Sequence, residues 1–212
     1  MGLGHMMINF VLGRQSTEFI AAYAVFRTLE GLIIGFFWGF SNAASVLVGA
    51  EVGAGNLELA YQRGRRLPPV CTGCILMVCL ALLAVHRPLL TAMSLTEESL
   101  PICFGMLCIY GAVASLVRMA NWTMNDTFRA AGDARYGSTL EITFMFLLVV
   151  PCVYAAGQAL KLPELAVFAC CYVDEPIRFV LMQRHMHTGK WIRPVTEAGQ
   201  MALPGFRAAH GL

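Results

Sequence analysis

Apolar residues in this chain come in long runs, separated by short connections that carry most of the charge. Gly31 to Ala50 reads GLIIGFFWGFSNAASVLVGA, without one charged residue. A helix of about 20 residues rises about 30 Å, the thickness of a bilayer's hydrocarbon layer. A soluble helix of that length keeps a polar face, and Ser41, Asn42 and Ser45 are too few to make one. The same pattern recurs along the chain. It predicts spans at about 18–53, 68–86, 100–121, 142–160 and 163–182, with an apolar leader over 1–12 too short to cross. No basic stretch precedes the leader, so it reads as a clipped helix rather than a signal peptide. The fold class that follows is all-α integral membrane, with five full transmembrane helices plus the clipped first one. Residues 197–212 form a tail.

The connections alternate in charge. Arg63, Arg65 and Arg66 follow the 18–53 span, Arg129 and Arg135 follow 100–121, and Arg184, Lys190 and Arg193 follow 163–182. The other connections hold only Arg14, Arg87 and Lys161. Basic loops stay in the cytoplasm, which predicts a multi-pass protein of the inner or plasma membrane with a cytoplasmic C-terminus. Asn56 is placed to cap a short interfacial helix, Leu57 to Arg66. Gly132-Asp133 breaks the chain, Lys161-Leu-Pro163 turns it, and Pro151 predicts a mid-span kink by freeing a carbonyl one turn earlier.

Composition excludes several classes. Only 13% of residues are charged, against roughly 25% in soluble domains. A net charge of +2 gives no electrostatic footprint for nucleic acid. The eight cysteines fall mostly inside apolar runs, where cysteine packs as a small apolar residue; Cys71-Thr-Gly-Cys74 has no second pair to complete a zinc site. His185-Met-His187 joins a basic patch, and Asn121-Trp-Thr123 lies too deep to be glycosylated. Gly49 and Gly53 have the spacing that lets membrane helices approach closely, and the glycines around them lack the order of a phosphate loop. No hydrolytic triad or metal motif appears. The reading is a non-enzyme with neither catalytic residue nor metal nor organic cofactor.

Charges within the spans carry more information. Arg27 and Glu30 share a helix face, as do Asp174, Glu175 and Arg178. Arg118 and Asp126 flank the inner half of the 100–121 span, with Asn121 between them, and Glu141 opens the next. Each charge at mid-membrane costs about 2.5–3.5 kcal/mol, so each faces a partner or a wet cavity. Structural ion pairs and a substrate or ion path both satisfy that demand. Phe36, Phe37, Trp38, Phe40, Met106 and Tyr110 are candidates for an apolar cavity lining.

Three patches then resemble one family. Ala43-Ala-Ser-Val-Leu-Val-Gly49 with Val52-Gly-Ala-Gly55-Asn56 and Ala60 resembles the multidrug and toxin extrusion (MATE) transporters. Thr127-Phe-Arg129-Ala-Ala-Gly132-Asp133 is similar to that family's R-A-G-G-D turn. Asp174-Glu175, Arg184 and Gly189 to Thr196 are similar to its C-terminal end. The resemblance covers about residues 1–196 and implies one six-helix lobe of a twelve-helix transporter. It implies export of amphipathic organic cations driven by sodium or proton entry, with the bilayer and a missing N-terminal lobe, or a second copy, as partners. Glu30 and Glu141 are the cavity candidates, with Arg27, Arg118, Asn121 and Asp126 beside them. Gly49, Gly53, Gly55, Arg129, Gly132, Asp133, Asp174 and Glu175 are assigned to the motifs. The coupling acid that bacterial members carry in the lobe's first helix has no counterpart between Met1 and Gln15. Alternatives are an inactive or dimerising fragment, or a flippase for lipid-linked substrates, which would need a broadly positive cavity.

Overall fold

The computed structural model describes residues 2–93 and 95–211, so Met1 of the leader and Leu212 of the tail lie outside it. Its helices are α1 (Gly2–Leu12), α2 (Thr17–Gly53), α3 (Leu57–Ala84), α4 (His86–Ala92) and α5 (Ser99–Ala130). They continue with α6 (Ala134–Ala159), α7 (Glu164–Cys170), α8 (Glu175–Thr188) and α9 (Glu197–His210). No strand occurs among the described residues, and the chain is an all-α membrane bundle. Four helices, α2, α3, α5 and α6, are long and apolar enough to cross a bilayer.

Helix α2 organises the rest. Ser16 caps it, its Oγ accepting from the Phe19 amide at 3.1 Å. Phe19, Ala22, Phe26, Leu29, Ile33 and Phe37 recur at three- and four-residue steps and are buried. Phe26 meets Tyr110 and Phe168 edge-on at 5.4 and 5.0 Å, while Phe37 meets Trp122 at 5.3 Å. These contacts tie α2 to α5 and α7. Leu32, Phe36 and Val46 are exposed apolar side chains on its outer side.

Several expectations are corrected. The short interfacial helix 57–66 does not exist as a separate element, because α3 runs on through Pro68 and Pro69. Each proline forfeits a ladder hydrogen bond. Leu57, Ala60, Tyr61, Gly64 and Pro68 nevertheless form one buried stripe, and the ring of Trp191 packs on Gly64; this packing holds the helix through the prolines. Asn56 precedes α3 but does not cap it with its side chain, whose Nδ2 donates to Glu51 Oε2 at 2.8 Å. Around Pro151 the wider pairing of π-helix appears, over Met145–Val149 before it and Ala155–Ala159 after it. A further π turn, Ala114–Arg118, interrupts α5. Helix α5 also continues beyond 121 to Ala130.

The predicted 163–182 span is broken. Helix α7 ends at Cys170, the chain turns through 171–174, and α8 begins at Glu175. Pro176 sits in the first turn of α8 and offers no N–H to continue a helix from α7; the Tyr172 carbonyl instead accepts from Glu175 N at 3.2 Å.

The basic connections gather at one end. Arg193 N donates to Ala131 O at 2.8 Å, and the Tyr61 hydroxyl donates to His187 O at 2.9 Å, joining all three. At the opposite end Ser16 N donates to Glu164 Oε1 at 3.0 Å.

Candidate functional site

Within the bundle lies a cavity of about 420 Å³. Its charged lining comes from four places: Arg27 and Glu30 on α2, Arg118 on α5, Glu141 on α6, and Asp174, Glu175 and Arg178 where the broken segment restarts as α8. Four carboxylates therefore face three guanidiniums. The break has a direct consequence, since it delivers two acids and the start of a helix into the interior.

Glu175 is the hub. Its Oε2 accepts from Asn121 Nδ2 at 2.7 Å and lies 2.9 Å from Arg178 Nη2, while its Oε1 is 3.6 Å from Arg118 Nη1. Asn121 Nδ2 also donates to the Glu175 carbonyl at 3.0 Å. Arg178 Nε lies 3.2 Å from Asp174 Oδ2. A buried carboxylate is tolerable only with partners of this kind. Glu30, 2% exposed, pairs with Arg27, whose side chain is 55% exposed. Arg118 is held by rings as much as by charge: its guanidinium carbon lies 5.4 Å from the Tyr172 centroid, 5.5 Å from Tyr110 and 6.0 Å from Trp122.

The structure thus brings Arg27, Glu30, Arg118 and Glu141 to one cavity, with Asn121 behind Glu175. Asp126 lies apart. It accepts from Ser41 Oγ at 2.5 Å, sits 3.3 Å from Arg129, and lines a smaller hollow of about 160 Å³. Trp122, Glu141 and Arg178 border both spaces. Asp174 and Glu175, grouped with the motif residues by sequence, also line the cavity. Arg178, Tyr172 and Trp122 were missed as lining residues; three- and four-residue spacing of Arg178 from two acids in an apolar segment was the available signal. Of the expected apolar lining, Phe37, Met106 and Tyr110 are core, Phe36 is exposed, Phe40 is half-buried against that core, and Trp38 borders the smaller hollow.

The remaining motif residues assemble at the basic end. Thr196 Oγ1 donates to Gly53 O at 2.9 Å, and a Cβ on Gly49 would rest 3.5 Å from Ala130 Cβ. Gly55 has φ +84°, and an added Cβ would lie 2.9 Å from Ala198 O. Gly132 has φ +96°, with a hypothetical Cβ only 2.1 Å from Arg193 O. Both positions require glycine. Buried Asp133 lies 2.8 Å from His185 Nε2 and 3.3 Å from Arg193 Nη1. Beneath them the buried Trp191 donates to Met186 O at 2.9 Å. All eight cysteines are free thiols, and no cluster of three or more metal-ligating residues occurs among the described residues.

A family model described as MatE matches residues 2–155. A curated relative, "Uncharacterized transporter YisQ" of Bacillus subtilis (strain 168), is 19% identical over 191 residues, covering 90% of this chain and 42% of that protein. The chain therefore spans less than half the length of this relative. No solved structure matches the chain.

Proposed function

Because the chain belongs to the MatE family of membrane transporters, we propose that its central cavity takes up amphipathic organic cations for export, driven by entry of a proton or sodium ion. The observation that carries this reading is the charge balance of the cavity. Glu30, Glu141, Asp174 and Glu175 face Arg27, Arg118 and Arg178, one carboxylate more than the guanidiniums, with the imidazole of His5 on the same lining. In a low-dielectric interior an uncompensated carboxylate calls for a cation, and coupling ion and cargo then compete for the same charge. Tyr23, Trp122, Phe168 and Tyr172 supply the apolar and π surface that an organic cation needs. A broadly positive cavity, as a flippase for lipid-linked phosphates would carry, is not what these residues build.

Export further requires a facing lobe. The half-exposed guanidinium of Arg27 beside buried Glu30 supports this, because such a group in a lipid-facing position would be costly. The partner surface is a second six-helix lobe, on the same polypeptide or on a second copy, and transport is rocking of the two lobes about the cavity. The basic end faces the cytoplasm of the cell membrane, and the C-terminus lies there. Dye efflux tests the reading. Cells stripped of their own pumps would express the chain alone and a form extended upstream by six further spans. Ethidium extrusion that stops on adding a protonophore, or on removing sodium, is expected of the two-lobe form. Absence of extrusion from both forms defeats the proposal.

A further inference from the structure

Arg118 occupies a position that its ion pairing alone does not explain. Its contact with Glu175, at 3.6 Å, is the longest of that carboxylate's polar contacts, since Asn121 and Arg178 approach to 2.7 and 2.9 Å. Its Nε is buried without a hydrogen-bond partner. What surrounds it closely is aromatic: Tyr172, Tyr110 and Trp122, all within about 6 Å of the guanidinium, the range of a cation–π contact. Three rings around one cation is the arrangement that recognises quaternary and other weakly hydrated cations. Trp122 and Tyr172 line the 420 Å³ cavity, and Tyr110 is fully buried in the core against Arg118 and Tyr172.

The backbone adds to this. Arg118 ends the π turn Ala114–Arg118, where one extra residue per turn shifts the side chains that follow. Ser115 Oγ, within the π turn, donates back to Gly111 O in the α-helical turn before it at 2.6 Å. Departures of this kind in a transmembrane helix are concentrated at functional positions.

We infer that the Tyr110–Trp122–Tyr172 cage is the subsite for the cationic group of the cargo, and that Arg118 is its resident surrogate, which cargo must displace to bind. The inference rests on the reading of the protein as an exporter of organic cations. An empty cage beside excess carboxylate would bind any passing cation tightly and release it slowly. A tethered guanidinium fills that space, holds affinity down and leaves the cage neutralised between cycles. Only a cation that is bulky, apolar and weakly hydrated gains enough from the rings to replace it, which makes Arg118 a specificity-determining residue.

The experiment is equilibrium binding of tetraphenylphosphonium to the detergent-solubilised chain, with triphenylphosphine oxide as a neutral probe of similar bulk. Arg118→Met keeps the length and apolar stem but removes the competitor. It should tighten tetraphenylphosphonium binding about fivefold or more while leaving the neutral probe within about twofold. Tyr172→Leu should weaken cation binding about fivefold, and Tyr172→Phe, which keeps the ring, should stay near native. The tyrosine pair carries the test if Arg118→Met does not fold. Unchanged or weaker cation binding by folded Arg118→Met, or equal behaviour of the two Tyr172 variants, overturns the cage assignment and leaves the export reading standing. No tetraphenylphosphonium binding by the native chain or any variant overturns the cage assignment, while the export reading stands or falls by efflux from the two-lobe form.

Discussion

The cavity and the basic end are built from similar residues to opposite effect. At the basic end, Asp133 has His185 and Arg193, Gly132 and Gly55 touch backbone carbonyls at distances no side chain would allow, and Thr196 ties α9 to the end of α2. In the cavity, acids outnumber guanidiniums, Arg118 Nε and Asn121 Oδ1 are buried without partners, and the Tyr110 hydroxyl is likewise unpaired. The basic end is closed by backbone contacts, with the buried Thr127 hydroxyl unpaired there; around the cavity a guanidinium, an amide and a phenol lack partners that a ligand or ion can supply. Most motif residues on which the family resemblance rests lie in the closed region. The resemblance therefore reports architecture, and says little about cargo.

Substitutions can break this contrast. The largest effect is expected from Gly132→Val, where a Cβ would overlap the Arg193 carbonyl at a φ that β-branched residues avoid. A loss of more than about 3 kcal/mol is expected, seen as aggregation on size exclusion in detergent. A monodisperse variant with native melting would mean that the knot is not the closed structure described here. Next comes Glu175→Ala, which strands Arg118, Arg178 and Asn121 in the interior. Removing one member of a buried ion network costs about 3–5 kcal/mol, measurable as a large fall in thermal midpoint. Glu175→Gln, able to keep the Asn121 contact, should lose less.

How much of this was legible in the sequence differs by the range of the interaction. Helix α2 was readable because its uncharged run is a local signal, whereas its Ser16 cap emerges from the structure. The break before α8 was not, because an average over apolar residues 163–182 hides Pro176 and the two acids beside it. Continuity of α3 through Pro68 and Pro69 was unreadable for another reason: it depends on Trp191, more than 100 residues away in the chain. The charged residues of the cavity were visible one by one. Their convergence was not, since Arg118 meets Glu175 only after α5 and α8 pack. Asp126 shows the reverse: near Arg118 in sequence, it lines the adjoining hollow and turns toward Ser41 and Arg129.

Smaller effects sharpen the comparison. Asp133→Asn removes the charge shared by His185 and Arg193 but keeps a hydrogen-bonding shape, and should cost about 1–2 kcal/mol. Efflux per folded molecule should stay unchanged, because Asp133 does not border the cavity. A fall in efflux at native stability would join the two regions functionally and dissolve the distinction.

The smallest change in stability belongs to Glu30→Gln and Glu141→Gln. Glu141 is half-buried on the wall shared by the two hollows, and its amide analogue leaves no unpaired interior charge. Glu30→Gln leaves Arg27 free, but that guanidinium reaches the surface. Each should shift stability by less than about 1 kcal/mol. Each also removes the one carboxylate by which the cavity's acids exceed its guanidiniums. If that excess draws the cation in, either substitution should lower gradient-driven efflux about tenfold, one decade for about 1.4 kcal/mol of lost attraction. Efflux at the native rate in both, measured in a two-lobe form of the transporter, would withdraw Glu30 and Glu141 from the transport path and leave Asp174 and Glu175 as the acids to test.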